Sequence, residues 1–159
     1  MTTDITPSEN AIAAIKFANE YAPILQGIFH VFAKNIEDAA SPNGPLHALC
    51  VMVELNRAAD SFTVRWADKK VRFSWGMQLA GAPITNGVVA VHRLPSCNDL
   101  EEVQLLGQFN FDESYSTDLK QDGRDRDLNT RSHCVGIVTH YLYLAQQHAF
   151  ALRQTPQHR

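Results

Sequence analysis

Residues 61–79 read SFTVRWADKKVRFSWGMQL. Phe62, Val64 and Trp66 alternate with polar neighbours, and Val71, Phe73, Trp75, Met77 and Leu79 do the same. A period of two puts each set on one face of a pleated strand. Asp68-Lys69-Lys70 interrupts the pattern, so the stretch predicts a β-hairpin built from Ser61–Trp66 and Val71–Leu79. The expected pairing sets Trp66 against Val71, Val64 against Phe73, and Arg65 directly opposite Arg72. Like charges facing each other across strands are destabilising. An anion is therefore expected between or above them: a carboxylate from the chain's own acidic stretch 98–127, an acid of a partner protein, or a phosphate. Arg65, Arg72, Lys69 and Lys70 are the candidate residues for that anion or acidic partner.

Working outward, Leu46 to Leu55 is apolar on both faces and reads as a central strand. Val88 to Leu94 reads as another. Gly81 to Gly87 reads as a loop, and its Asn86-Gly87 pair as a turn, like Asn43-Gly44. Residues 98–107 fit either state: Asn98 and Glu101 resemble a capping box, yet Val103, Leu105, Phe109 and Phe111 alternate. The reading adopted is a strand over Leu105–Asp112, with a possible helical turn before it and a polar loop from Glu113 to Asp127.

Helices flank the strands. From Ser8 to about Ala40, the apolar residues Ala11, Ala14, Phe17, Ala18, Tyr21, Leu25, Ile28, Phe29, Phe32 and Ile36 share one helical face. Pro23 interrupts the backbone bonding but not the phase, which predicts one kinked helix or two abutting ones. The segment Ser41-Pro-Asn-Gly-Pro45 stops it. A last helix is expected from about Asn129 to Arg153, capped by Asp127 or Asn129. The predicted fold class is α+β: a four- to five-stranded antiparallel sheet, with the long N-terminal helix and the C-terminal helix packed on one face.

The 159 residues form one expected domain, with residues 1–7 and 154–159 as flexible ends. At this size about two-thirds of the unfolded chain's surface is buried on folding. A hydrophobic share of 45% excludes wholesale disorder. The formal charge of -3 conceals four alternating blocks. Residues 1–60 and 98–127 are net acidic by -4 and -6, and residues 61–97 and 128–159 are net basic by +4 and +3. With a pI near 6.1, nucleic acid is disfavoured as a partner. The first residues lack a basic, apolar leader pattern. The longest apolar run, 22–33, is too short to span a bilayer. Three cysteines make no disulfide framework. The expected setting is a reducing cytoplasm, away from membranes.

No sequence motif names a reaction: glycine-rich phosphate loops, a nucleophile elbow and kinase signatures are all absent. The acidic residues Asp112, Glu113, Asp118, Asp122, Asp125 and Asp127 suggest a hard-cation loop. Aligned on Asp118, Gly123 takes the sixth position, but Lys120 takes the third and Asn129 the twelfth, so the pattern fails. His133 and His140 lie two helical turns apart, about 10 Å, too far to share an ion. Neither a metal nor a cofactor is expected. Cys50 reads as core in its strand and Cys134 as core on the last helix. Cys97 sits in a polar turn five residues after His92. It is the candidate reactive thiol, with His92 as its neighbour.

The last helix turns Cys134, Val138, Tyr141, Leu142, Ala145, Ala149 and Leu152 to one side. Gly136, His140, Tyr143 and Phe150 lie on the other. Aromatic residues at the centre of a polar face suit a partner, since aromatics are enriched in interface cores and two-fold dimers are the commonest assembly. The expected function is thus a non-enzymatic protein-interaction module of adaptor, immunity or secretion-chaperone type, binding itself as a homodimer and another protein. One alternative is a small-ligand or hydrolytic domain with a pocket between sheet and helices, lined by Trp66, Trp75 and His92. A third is an RNA-binding sheet face around Arg65 and Arg72.

Overall fold

The computed structural model describes residues 8–78, 86–96 and 102–154, apart from the side chains of 10 and 148–154. The chain runs α1 (Glu9–Ala40), α2 (Pro45–Ala48), β1 (Met52–Asn56), β2 (Ser61–Trp66), β3 (Lys69–Met77), β4 (Asn86–Leu94), β5 (Gln104–Asp112), β6 (Ser116–Gln121), β7 (Arg124–Asp127) and α3 (Arg131–Gln154). The class is α+β, with one antiparallel meander of seven strands in sequence order. The two strands beyond the expected five are β6 and β7, which occupy the stretch read as a polar loop. Their turn is Asp122-Gly123, both at positive φ (54° and 73°), the backbone that an Asp-Gly hairpin supplies.

Ser8 caps α1, its hydroxyl accepting from the Ala11 N–H at 3.1 Å. The 32-residue helix continues unbroken through Pro23, so the two-helix option is excluded. At about 1.5 Å per residue it is about 48 Å long. It outruns its core contacts: among the described side chains of 9–24, only Ala18 is buried, and Ile12, Ile15 and Ile24 are exposed. From Leu25 onward Ile28, Phe29, Phe32 and Ile36 are all buried.

The Leu46–Leu55 stretch is not a central strand. Pro45 opens a single helical turn, Leu46 is buried from it, Cys50 reverses direction at φ 57°, and only Met52–Asn56 is strand, at the sheet edge. The apolar character on both faces came from a helix residue and an edge strand read as one element. Asn86-Gly87 is likewise no turn: it opens β4.

Register defines the faces of the sheet. Phe62, Phe73 and Val91 form one cross-strand row, and Trp75, Val89 and Phe109 form another. Phe32 of α1 meets Phe62, Phe73 and Phe109, with ring centroids 5.1, 5.9 and 6.1 Å away. Tyr141 of α3 meets Phe73 and Phe109 from the other helix. Burial leaves the Tyr141 hydroxyl harder to ionise than usual, with the Asp118 charge adding to the effect. Gly107 gives this ring room: a Cβ there would lie 3.2 Å from Tyr141 Cε1. Asp127 Oδ1 accepts from the Thr130 and Asn129 N–H groups at 2.7 and 3.0 Å, bracing the turn into α3.

Candidate functional site

Three features of the fold meet near the end of β2. Cys50 swings the chain back after α2, Trp66 closes β2, and Tyr143 leaves α3 on the side away from Tyr141. Leu49, Val51, Trp66, Thr139, Leu142, Tyr143 and Gln146 line an apolar groove of about 180 Å³. Its rim is exposed: Leu49 is 52% accessible and Tyr143 61%. Burying such side chains is worth about 1.5–3 kcal/mol each, so leaving two large ones in water at one groove marks the surface.

Tyr143 also borders a second groove, of about 410 Å³, between α3 and the β6–β7 hairpin, lined by Leu119, Gln121, Arg126, Gly136 and His140 among others. The structure thus brings Gly136, His140 and Tyr143 to one face of α3, away from its core side. Gly136 serves the hairpin: a Cβ there would stand 3.2 Å from Gln121 Oε1. The side chain of Phe150 lies outside the described residues. The sequence signal for this surface was Tyr143 on the polar side of α3. Leu49 carries no such signal, because the Leu46–Leu55 stretch reads as a buried strand.

The basic hairpin pairs differently from expectation. Its turn is the two residues Ala67-Asp68, with Ala67 at φ 52°. Trp66 therefore pairs with Lys69, Arg65 with Lys70, Val64 with Val71, and Arg72 with Thr63. Arg65 faces a like charge, but that charge is Lys70 and not Arg72. Lys69 falls on the face that carries the core rings, where its amine is nearly buried and lies 2.9 Å from Asp68 Oδ2. Arg65, Lys70 and Arg72 share the opposite face and make no ion pair among the described residues. Among the described residues no carboxylate of the 98–127 stretch pairs with them, and Asp99 and Glu101 lie outside the described residues. The acidic stretch forms β5 to β7, farther along the sheet, where Lys120 takes Asp125 and Asp118 takes the Asn110 amides.

His92 stands on that same opposite face, paired with Arg72 and Leu105. Trp66 and Trp75 occupy the core-ring side, so the three cannot line one pocket. Cys97, the candidate partner of His92, lies outside the described residues. Cys50 is exposed, contrary to its reading as core, because it sits in the reversal before β1. Cys134 is buried, as its helical face implied; burial pushes its thiol up to about 12. Alkylation at neutral pH is expected to modify Cys50 in the folded protein and Cys134 only on unfolding. Equal rates at the two, followed by peptide mass mapping, would contradict this placement.

One cluster had no sequence signal. Asp60, at φ 46° in the β1–β2 turn, accepts a 2.9 Å hydrogen bond from Gln26 Nε2 and lies 3.4 Å from His30 Nε2. The Gln26 hydrogen bond holds the Asp60 carboxyl below its usual range against the opposing effect of desolvation, and His30 assists. These partners tie the turn to α1 across 34 and 30 residues, a fastening that no local pattern announces. The cleft beside it, about 360 Å³, mixes Lys34, Glu37 and Arg57 with apolar Phe29 and Leu55.

Among the described residues no group of three or more His, Cys, Asp or Glu could hold a metal ion, and no helix is long and apolar enough to cross a membrane. Compared with known proteins, the chain matches no family model, no curated protein and no solved structure.

Proposed function

We propose that the protein is a non-enzymatic interaction module that pairs with a second copy of itself through the Leu49–Trp66–Tyr143 surface. The observation that carries this is the juxtaposition of a protruding ring and an apolar groove on one patch. A two-fold interface brings the same patch of both copies together, so each copy must offer both a projection and a recess. Tyr143 supplies the projection, and the groove against Trp66 and Leu142 supplies the recess. Thr139 and Gln146 give the polar rim that interface cores carry.

The reading also rests on how the interior is filled. A ligand domain built with α1 and α3 over one face of the sheet would keep a cavity between them. That space is taken up by Phe29, Phe32, Phe62, Phe73, Phe109 and Tyr141, each at most 4% exposed. Packed rings leave the chain's unspent apolar surface on the outside, which favours binding over turnover.

Light scattering tests the proposal. The parent is expected at twice the chain mass of 17.8 kDa, and a Tyr143→Arg, Leu49→Arg double variant at the single-chain mass. Both positions are exposed, so far-ultraviolet circular dichroism should be unchanged. A monomeric parent, or a variant that keeps the parent's mass, overturns it.

A further inference from the structure

The face of the sheet opposite the core rings carries a strip whose order follows from the register. One row runs Met52, Arg65, Lys70, Leu94 from β1 to β4. The next, two residues along each strand, runs Glu54, Thr63, Arg72, His92, Leu105 from β1 to β5. With strands about 4.8 Å apart and residues about 3.3 Å apart along them, Arg65, Lys70, Arg72 and His92 sit within an area of about 10 by 7 Å. The strip is cationic at its centre, with apolar Met52 (59% exposed) and Leu105 (55% exposed) at two opposite corners and Glu54 two residues from Met52 on β1.

The fold gains nothing from this arrangement. Arg65 directly opposite Lys70 costs stability, and neither these two nor Arg72 has an ion-pair partner among the described residues. An acidic group of another molecule would offset that cost. We infer that this strip binds an extended acidic segment of a partner protein, with apolar residues flanking its acids.

The dimensions select that occupant. The diagonal from Met52 to Leu105 crosses four strand spacings and two residues, about 20 Å. In an extended peptide alternate side chains face the same way, so residues 1, 3, 5 and 7 span the same distance. Apolar side chains at 1 and 7 would reach Met52 and Leu105, and acids at 3 and 5 would fall over Arg65–Lys70 and Arg72–His92. A nucleic acid fits less well. It draws affinity from many phosphate contacts and from aromatic platforms; the two rows hold three fixed cations, the acid Glu54 and no aromatic ring other than the His92 imidazole. The strip is separate from the self-association surface through Tyr143, so the two proposals fail independently.

The probe is a fluorescein-labelled heptapeptide, Leu-Ser-Glu-Ser-Glu-Ser-Leu, followed by fluorescence polarisation at low salt. The parent should bind it, a tenfold rise in salt should weaken binding, and Arg65→Glu with Arg72→Glu should weaken it at least tenfold. The milder pair Arg65→Gln and Arg72→Gln serves if charge reversal impairs folding. Tyr143→Arg should bind as the parent does. No binding by the parent, equal binding of the Leu-Ser-Lys-Ser-Lys-Ser-Leu peptide, or an unaffected glutamine pair overturns the inference. Stronger capture of oligouridine or of phosphatidylserine vesicles, lost in the same variants, also overturns it and reassigns the strip.

Discussion

Replacing Phe32 by alanine is expected to remove about 3–5 kcal/mol of folding stability, the range for deleting a buried aromatic ring. Phe32 is fully buried and is the point where α1 meets three strands: Phe62 on β2, Phe73 on β3 and Phe109 on β5, with Phe29 beside it on the helix. Those neighbours are large rings on separate elements, so they cannot all close on the void, and the cavity cost adds to the lost burial. Urea unfolding followed by circular dichroism measures the loss. Phe17→Ala is the internal control, because its ring only stacks on Tyr21 in the little-buried half of α1; about 1 kcal/mol or less is expected there. Comparable losses at the two positions would mean that α1 is not anchored through Phe32.

The second large effect is expected from adding one methyl group. Gly87 lies between Met77 and Phe111 in the cross-strand register, and a Cβ built on it would stand 2.3 Å from the Phe111 ring. That ring is 1% exposed, so it cannot swing clear into water. Gly87→Ala should cost about 1–3 kcal/mol or more as an overpacked site. The double variant Gly87→Ala, Phe111→Leu should be less destabilised than the sum of its two single changes, because leucine vacates the contested space. Additive losses would show that the two residues do not compete. Here glycine is required by close approach and not by its backbone angle.

What could be read in the sequence, and what could not, divides along physical lines. Alternation over Ser61–Met77 gave β2 and β3, and the helical phase across Pro23 gave α1, because both patterns arise from burial on a single face. Gly87 misled for the opposite reason. Asn-Gly is a preferred hairpin turn, yet here the pair opens β4 against Asp112 and the distant Phe111. β6 and β7 carry few buried residues, Thr117 among them, so burial left almost no periodicity over 116–127 to detect. The hairpin register failed by two residues because Ala67 takes a positive φ that its type does not favour. Of the interaction surface, Tyr143 was visible as an aromatic on a polar face. Its counterparts across the groove depend on where Cys50 turns the chain, and that turn has no local signature. The charge blocks were plain in the sequence, but whether +4 and -6 cancel is decided by strand order, which keeps β2–β3 and β6–β7 apart.

The meander has a consequence for the order in which the molecule can be made. Every strand bonds only to its neighbours in sequence, so each hairpin can form as it leaves the ribosome without waiting for a distant segment. The helix α3 follows all seven strands in the chain and brings Tyr141 onto Phe73 and Phe109. Until α3 emerges, Phe73 and Phe109 of a nascent chain lack the Tyr141 ring. Covering of those rings is therefore tied to translation of α3: a product truncated before Arg131 lacks Tyr141 and leaves Phe73 and Phe109 without that contact.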